Sequence, residues 1–469
     1  MKIAIIGGGI SGCAAYLLLK KHLPKPLDAE DHSITIYEAY DTNKDTTHVE
    51  RGQGATHSST LIVGGGLGVG ANGLNVIKRL DEDLLRDIVR GGYVVATMIM
   101  KSKNGTVLTR GQPAGDPESE KATPRDMHMV SSSRHELWRC LRVRIPDEAI
   151  VNKRVADVVA NANGRNTVSF VDGSAPIDAD LVIGADGLKS SAKRALFPEA
   201  KEDPFPSHYE GLVGVGGFIP AAEVREHVEK GSMNFVFGGN GFFGYFFSES
   251  TKDSPHRDSP YHISEPAERL AWWSTYSVAE PPTPGTLDKA AVTRQLRERH
   301  QSWKDPVIQK ILQDLTVENM YPTWTVPPLS TWERDGVVLV GDAAHALPST
   351  SGQGSSQALE DVEAFTLILS HHLRKAYATG PPDTLEKKRV VKTAAKQYME
   401  LRLPRVTKIL QDSRQMQDSK RDKGVVEEYI MYMFMWIMGC FPGVMNKFMN
   451  KAFTYNVAEE VKKMLEKDD

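Results

Sequence analysis

Glycines and a carboxylate near the start of the chain have the types and the spacing that bind a dinucleotide. The segment reads GGGISG, and the residues that form its G-x-G-x-x-G pattern or stand within it are Gly7, Gly9, Ser11 and Gly12. Such glycines let the backbone approach a pyrophosphate, and the free N–H groups of the following helix attract that anion. Glu38 ends the next strand, where its carboxylate can accept hydrogen bonds from a ribose diol. Because strand, helix and second strand all accompany the motif, we predict a dinucleotide site rather than a structural glycine turn.

A carboxylate and a glycine-rich loop recur late in the chain, in the segment VVLVGDAAHALPSTSGQGSSQALED at residues 337–361. A short apolar strand ends at Asp342, where a carboxylate can bind the hydroxyl groups of a ribityl chain. A loop and the start of a helix follow, and their N–H groups would stabilise the negative charge of a reduced flavin. The loop residues that we assign to this cofactor contact are Pro348, Gly352, Gln353 and Gly354.

Two further segments carry glycines beside predicted strands. In DLVIGADGLKSSAKR, at residues 180–194, an apolar strand ends at Asp186. This segment alone fits a turn with a helix N-cap as well as it fits a cofactor contact. The run GGGLGVGANG at Gly64–Gly73 has no acidic partner, so it favours a backbone-lined loop near the flavin ring over a second nucleotide site.

Glycines and aromatic residues alternate in Ser232–Ser250, and this pattern predicts a wall for an apolar ligand. A period of two places each aromatic set on one face of a sheet. A flat apolar wall suits an aromatic or polycyclic substrate. The candidates for substrate-binding residues are Phe235 and Phe237 in one set, and Phe243, Tyr245 and Phe247 in the other. The alternative is a plain sheet core, and only one face can line a cavity.

The elements that position these residues predict a mixed α/β fold. We expect a discontinuous Rossmann-type FAD-binding domain, made of residues 1–75, 127–203 and 322–385. A substrate-binding domain built on an antiparallel sheet, residues 76–126 and 204–321, is inserted into it. Residues 386–469 are predicted to form a C-terminal helical region.

Together the three segments GGGISG with Glu38, GADGLKS and GDAAHALPSTSGQG resemble, in order and spacing, the class A single-component FAD-dependent monooxygenases of the para-hydroxybenzoate hydroxylase type, over about residues 1–410. The resemblance implies non-covalent FAD. It implies that Arg134 contacts the FAD phosphate or ribityl region, that Asp186 is linked to both FAD and NAD(P)H, and that Asp342 binds the ribityl chain. The sequence departs from the family at Ala71, where a proline is usual, and at Lys193, where an arginine is common, although Arg194 follows.

The resemblance also implies a reaction. NADPH or NADH would reduce the flavin, and a C4a-hydroperoxyflavin would then insert one oxygen atom into an aromatic or polycyclic small molecule, as in secondary metabolism. The main alternative is an FAD-dependent reductase without oxygen insertion that acts on a hydrophobic or isoprenoid substrate; a protein that holds FAD for structure alone is another. His345 is expected to be structural. The catalytic acid or base stays unassigned, with Arg51, Arg194 and Tyr245 as candidates.

Composition excludes other classes of function. The chain has 57 basic and 60 acidic residues, a net charge of -3, without the basic excess of a nucleic-acid-binding protein. Three scattered cysteines cannot form a disulfide framework or a four-thiolate metal site, so we expect no metal and a cytoplasmic protein. The start MKIAIIGGG predicts a buried strand rather than a signal peptide.

An apolar segment at residues 427–445 stands apart from the rest of the C-terminal region. Its uninterrupted part is shorter than the roughly 20 apolar residues that span a bilayer. We expect a helix buried on the body of the protein or in a dimer, with membrane-surface contact as the alternative.

Overall fold

A computed structural model describes residues 1–27, 31–42, 66–112, 127–283, 287–317 and 319–468, and only the backbone of residues 350, 445 and 447–451. The predicted mixed α/β fold is confirmed, with helices packed around two large sheets and two small ones.

The first sheet is six-stranded and mostly parallel, and its strands are the short apolar runs that precede the glycine motifs. In spatial order they are β18 (Glu333–Arg334), β19 (Val337–Leu339), β12 (Leu181–Gly184), β1 (Lys2–Ile6), β2 (Ser33–Glu38) and β8 (Ile150–Asn152). Ile6 is in register with Gly184, which is in register with Leu339. The carboxyl ends of these parallel strands therefore bring the three predicted cofactor segments to one edge of the sheet.

The second large sheet has seven strands and carries the glycine–aromatic segment. In spatial order they are β17 (Tyr321–Thr325), β13 (His208–Pro220), β16 (Arg269–Ser277), β15 (Gly241–Phe247), β14 (Ser232–Gly238), β5 (Thr97–Ser102) and β6 (Val107–Gly111). Small three-stranded sheets are formed by β3 (Gly66–Val69), β7 (Met129–Ser133) and β4 (Tyr93–Val95), and by β11 (Ile177–Ala179), β10 (Asn166–Phe170) and β9 (Val155–Val159). The strands β5 and β6 form a hairpin that turns at Asn104–Gly105.

Helices cover both large sheets. They are α1 (Ile10–His22), α2 (Ala71–Leu80), α3 (Glu82–Arg90), α4 (Arg134–Arg142), α5 (Lys289–His300), α6 (Pro306–Gln313), α7 (Asp342–His345), α8 (Gly354–Tyr377), α9 (Thr384–Asp418), α10 (Val425–Gly439), α11 (Pro442–Phe453) and α12 (Val457–Leu465). Several begin at a capping side chain that accepts a backbone N–H, as Ser133 does from Glu136 and Asp383 from Glu386.

The predicted segment 76–126 is divided between the two sheets. The apolar side chains of α2 and α3, such as Leu74, Ile77 and Leu84, are fully buried in the core of the first sheet. The strands β5 and β6 instead belong to the second sheet. The apolar residues of these helices recur at three- and four-residue spacing, which favours burial of one helix face but does not indicate against which sheet that face packs.

The C-terminal apolar segment forms α10 and the start of α11, and most of it is not buried on the body of the protein. Tyr432 and Glu428 face inward, whereas Phe434 and Trp436 are 63% and 59% exposed. The expectation that this helix is buried against the rest of the chain is therefore wrong for most of its side chains. Within the described ranges, no helix combines the length and the apolar character needed to cross a bilayer.

Candidate active site

The first glycine motif forms a tight turn between β1 and α1. A Cβ atom on Gly12 would lie 1.9 Å from the carbonyl oxygen of Gly7, so this close approach of helix to strand requires glycine. A Cβ atom on Gly9, the residue before α1, would meet no atom within 4 Å, so the backbone there is open to a ligand. The turn and the helix N-terminus thus have the form that holds a pyrophosphate.

The Glu38 carboxylate holds this turn from the second strand. It accepts hydrogen bonds from the backbone N–H groups of Gly8, at 2.5 Å, and Tyr40, at 3.0 Å. A carboxylate has about four acceptor positions, so two remain for ribose hydroxyl groups. The position fits the predicted ribose contact.

The segment at residues 337–361 lies next to the first glycine motif at the edge of the sheet. Gly341 has a φ of 59°, and a Cβ atom there would lie 2.5 Å from the hydroxyl oxygen of Ser11. Asp342 begins α7 and is half-buried, and its carboxylate has no hydrogen-bond partner among the residues that the structure describes. A half-buried carboxylate without a protein partner is suited to accept hydrogen bonds from a ligand hydroxyl.

Arg134 and the loop before α8 have the same open character. Within the described part of the chain, the guanidinium of Arg134, the first residue of α4, forms no hydrogen bond or ion pair. Pro348 is buried, while Cβ atoms on Gly352 and Gly354 would meet nothing within 4 Å. A free cation, a free carboxylate and an open glycine loop fit the phosphate, ribityl and ring regions of FAD.

The Asp186 carboxylate is hydrogen-bonded by residues of its own segment. Its carboxylate accepts hydrogen bonds from the hydroxyl groups of Ser190, at 2.6 Å, and Ser191, at 2.8 Å, and from the Ser191 N–H at 2.6 Å. This places Asp186 as the residue that shapes the turn after β12. Its predicted link to both FAD and NAD(P)H remains a prediction.

A buried charged network lies next to the loop of residues 348–354. It was not predicted from the sequence. The Arg402 guanidinium in α9, with no exposed surface, pairs with Glu360 and, at 2.9 Å, with Asp361, both fully buried in α8. Glu360 also accepts a hydrogen bond from the amide nitrogen of Asn72, which in turn donates to Gln353 at 3.2 Å. The network therefore ties the loop residue Gln353 and the start of α2 to two long helices.

His345 belongs to this network. Its Nε2 lies 2.5 Å from a carboxylate oxygen of Asp361, which also accepts the Gly341 N–H at 3.0 Å. Burial raises the pKa of Asp361, but the charges of His345 and Arg402 outweigh it, so the pKa is lowered. The geometry favours the structural role expected for His345.

The aromatic candidates are divided between the two faces of the second sheet. Phe235 is opposite Gly244 and Phe237 is opposite Phe242, whereas Phe243 is opposite Val236. We call the two sides the site face and the core face. The site face carries Met233, Phe235, Phe237, Phe242, Phe246 and Trp273; the core face carries Phe243, Tyr245 and Phe247.

The core face packs under α5 and α6 and does not meet the glycine segments. Phe243 contacts His300 and Trp303, with ring centroids 4.8 and 6.0 Å apart. The three core-face aromatic residues are fully buried there, so a plain sheet core describes their position. The other two predicted substrate-wall residues, Phe235 and Phe237, lie on the opposite face, together with Trp273.

Trp273 is the centre of the site face. Its ring covers Gly244 and lies within 6 Å of the rings of Phe235, Phe242 and Phe246. Trp273 and Phe235 are half-buried. Sequence reasoning missed Trp273 because it lies 23 residues beyond Ser250, outside the glycine–aromatic segment.

The strand β3 joins the site face to the cofactor segments. A Cβ atom on Gly66 would lie 2.4 Å from the ring of Phe246, and the Gly70 N–H donates to the Ser356 hydroxyl at 3.2 Å. Phe453, at the end of α11, lies against Gly70 and packs with the site-face cluster. The described part of the predicted glycine loop, residues 66–73, thus lies between the start of α8 and the aromatic residues.

Two of the three catalytic candidates, Tyr245 and Arg194, lie away from this arrangement. Tyr245 is buried on the core face between Lys101, at 2.8 Å, and Asp305, at 3.0 Å; burial and the Asp305 charge raise its pKa. Arg194 donates to the carbonyl oxygen of Ala156 at 2.7 Å, next to the small β9–β11 sheet. Arg51 lies outside the described residues.

Known proteins are similar to this chain in sequence and in fold. A family model described as an FAD binding domain matches residues 101–398. The chain is 25% identical to chloroplastic zeaxanthin epoxidase of Spinacia oleracea over 392 residues, 81% of this chain and 49% of that protein. It is 24% identical to 3-amino-4-hydroxybenzoate 2-monooxygenase of Streptomyces cremeus over 418 residues, 89% of this chain and 86% of that protein. It spans about half the length of the zeaxanthin epoxidases that it matches.

A solved structure with the same fold is the substrate complex of salicylate hydroxylase. The TM-score is 0.70 at 19% sequence identity, with 98% of this chain and 97% of the other covered. The family model matches more than half of the chain and includes the second and third cofactor segments. The chain belongs to the FAD-binding domain family that includes the class A FAD-dependent monooxygenases.

Proposed function

We propose that this protein is an FAD-dependent monooxygenase that uses NADPH or NADH and dioxygen to insert one oxygen atom into an aromatic or polycyclic small molecule. The observation that supports this most is the position of β3. Gly66 touches Phe246 of the site face, and Gly70 bonds to Ser356 at the start of α8. A flavin bound at the loop of residues 348–354 would therefore face the aromatic residues of the site face, with the short strand β3 between them.

The chain's own residues would position the reactants and exclude water. When bound, FAD supplies electron transfer from NADPH or NADH and the activation of dioxygen. Asp342 would hold the ribityl hydroxyl groups, and the N–H groups at Gly352–Gly354 would stabilise negative charge on the ring. Trp273, Phe235 and Phe246 would bind the substrate and keep water away from the reacting atoms.

The names of the relatives indicate two kinds of substrate. One is named an epoxidase of zeaxanthin and another a monooxygenase of an aminohydroxybenzoate. The apolar site face supports an aromatic or polycyclic substrate, for hydroxylation or epoxidation alike. The second candidate is a reductase of a hydrophobic or isoprenoid substrate without oxygen insertion, which the exposed apolar face of α10 favours.

A screen of substrate-stimulated NADPH oxidation tests the proposal. Purified FAD-loaded protein is mixed with NADPH or NADH and a panel of phenols, aromatic acids, indoles and polyenes, and oxygen uptake is recorded together with nucleotide oxidation. We expect a compound that accelerates both at equal rates. Acceleration of nucleotide oxidation under anaerobic conditions, with a reduced organic product, would instead support the reductase.

We predict that the two faces of the sheet respond differently to substitution. With the compound found in the screen, Trp273→Ala should raise KM about tenfold, because it removes aromatic contact area. Phe243→Ala on the core face should destabilise the protein by about 3–5 kcal/mol and leave KM unchanged. Steady-state kinetics measures KM, and urea unfolding measures the free energy of unfolding. A KM increase confined to Phe243→Ala would place the substrate on the other face.

We also propose that the protein is cytoplasmic and that α10 lies on a membrane surface. Residues 429–446 contain no charged side chain, and Tyr429, Phe434, Trp436 and Phe441 are each more than half exposed. Exposed aromatic residues suit the lipid interface, and basic residues flank the segment, with Arg421 and Lys423 before it and Lys447 and Lys451 after it. These flanks favour an anionic lipid surface over a second, equally charged copy of the chain.

Flotation with lipid vesicles tests this contact. The double variant Phe434→Glu, Trp436→Glu should bind vesicles that contain phosphatidylserine about 100-fold more weakly than the wild type, because it loses two exposed aromatic side chains that would insert into the lipid. Val171→Glu, at a similarly exposed apolar residue, is the control and should bind normally. A dimer in gel filtration that the double variant dissociates, without vesicle binding by the wild type, would assign α10 to a subunit interface.

A further inference from the structure

Lys420 is a buried cation on the site face. It follows α9, is 6% exposed, and its ammonium nitrogen lies 4.3 Å from the centroid of the Phe242 ring. Phe242 in turn contacts Trp273 and Phe235, with ring centroids 5.8 and 6.0 Å apart. The ammonium group therefore borders the aromatic cluster that we assign to the substrate.

No described residue pairs with this ammonium group. The acidic residues nearest in sequence have other partners: Asp418 accepts from Arg421 at 3.2 Å, and Asp422 pairs with Arg299 at 2.7 Å. On α10, Glu428 is bound by Lys103 at 2.8 Å and by the Tyr432 hydroxyl at 2.5 Å. Burial alone lowers the pKa of Lys420 to about 7.

An unpaired buried cation is costly, and contact with one aromatic ring offsets only part of that cost. A methionine or leucine would fill the same space without the loss of hydration. An anionic ligand would supply the missing partner and restore the charged form of the lysine. The position thus suits a binding group more than a structural one.

We propose that Lys420 is a substrate-anchoring residue that pairs with an ionised oxygen, a carboxylate or phenolate, at one end of an aromatic substrate. This rests on the proposed function, in which the site face binds the substrate. Phe242 and Phe246 are four residues apart on β15, roughly 14 Å at the rise of a strand. The anion would bind at the Phe242 end, and the ring system would extend towards Gly66 and the flavin loop.

Binding of two matched probes tests the anchor. Anthracene-2-carboxylate and its uncharged amide, anthracene-2-carboxamide, are titrated into FAD-loaded protein by calorimetry. The wild type should bind the carboxylate at least about tenfold more tightly than the amide, the expected gain from a charge-assisted hydrogen bond. Lys420→Met should bind both probes equally, and Lys420→Arg should keep part of the preference. Lys408→Met, an exposed lysine on α9, is the control and should match the wild type.

Equal affinity of the wild type for the two probes, or no binding of either, would overturn the proposal, as would an unchanged preference in Lys420→Met. FAD content shows that each variant is folded. The anchor and the monooxygenase activity fail separately: a carboxylate preference that depends on Lys420, without oxygen uptake in the screen, refutes only the proposed reaction. Oxygen uptake that proceeds normally in a protein without the preference refutes only the anchor.

Discussion

Replacing Asp342 with Ala is expected to weaken FAD binding by roughly 10- to 100-fold, the loss that follows from removing a hydrogen-bonding charged group. The carboxylate is half-buried at the start of α7 and has no partner among the described residues, and the preceding residue, Gly341, lies against Ser11 of the first glycine turn. Its removal leaves the fold intact and takes away the acceptor for the ribityl hydroxyl groups. The flavin absorbance of purified protein, and titration of the apoprotein with FAD, measure the effect.

Asp157→Ala is the matched control for this substitution. Asp157 is an exposed aspartate on the small β9–β11 sheet, away from the glycine motifs, so its replacement should leave FAD content unchanged. If Asp342→Ala also binds FAD as tightly as the wild type, Asp342 is not the ribityl ligand and the late segment has been assigned to the wrong part of the cofactor.

Replacing Arg402 with Met should destabilise the protein by about 3–5 kcal/mol, the cost of leaving a buried charge without its partner. Two carboxylates, Glu360 and Asp361, would stay in a site with no exposed surface, although Arg405 still contacts Glu360 at 2.8 Å. The FAD content should also fall, because the same network holds Gln353 of the flavin loop. Urea unfolding, followed by fluorescence, gives the free energy.

The pH dependence of unfolding gives a second readout of this network. Burial raises the pKa of Asp361, but His345 and Arg402 together lower it below the unfolded value. Its stabilising contribution is therefore present above about pH 4, the unfolded pKa, and is lost as the pH falls through the folded pKa. Arg402→Met should lose less stability on acidification than the wild type does.

The exposed Lys408, which pairs with Asp412 in the same helix, provides the comparison. Lys408→Met should change stability by no more than about 0.5 kcal/mol. An equally small effect of Arg402→Met would mean that the buried charges do not depend on one another and that the loop is held by other contacts.

The cofactor segments could be predicted because each of their patterns extends over only a few neighbouring residues. A glycine turn between a strand and a helix, as at Gly7–Gly12, indicated a dinucleotide site, and the parallel register of β1, β12 and β19 brings the three segments together. The fold class and the family were predicted on these grounds, and both are confirmed.

Relations between distant segments could not be predicted. A period of two put each aromatic set on one face of a sheet, but only the strand register and the packing of α5 and α6 decide that Phe243 lies in the core, on the face opposite Phe235. Glu360 and Arg402 are 42 residues apart, and each taken alone resembles an ordinary solvated helix position. The apolar sequence of α10 indicated burial, whereas the structure turns most of that helix outward because Glu428 and Tyr432 provide its contacts with the sheet.

The fate of dioxygen tests the central claim most directly. The purified protein, with FAD, NADPH and the compound that stimulates nucleotide oxidation most, is supplied with isotopically labelled dioxygen, and the product is analysed by mass spectrometry. We predict that one labelled oxygen atom enters the organic product and the other enters water. A product that forms with stoichiometric NADPH oxidation but carries no label would contradict the assignment as a monooxygenase.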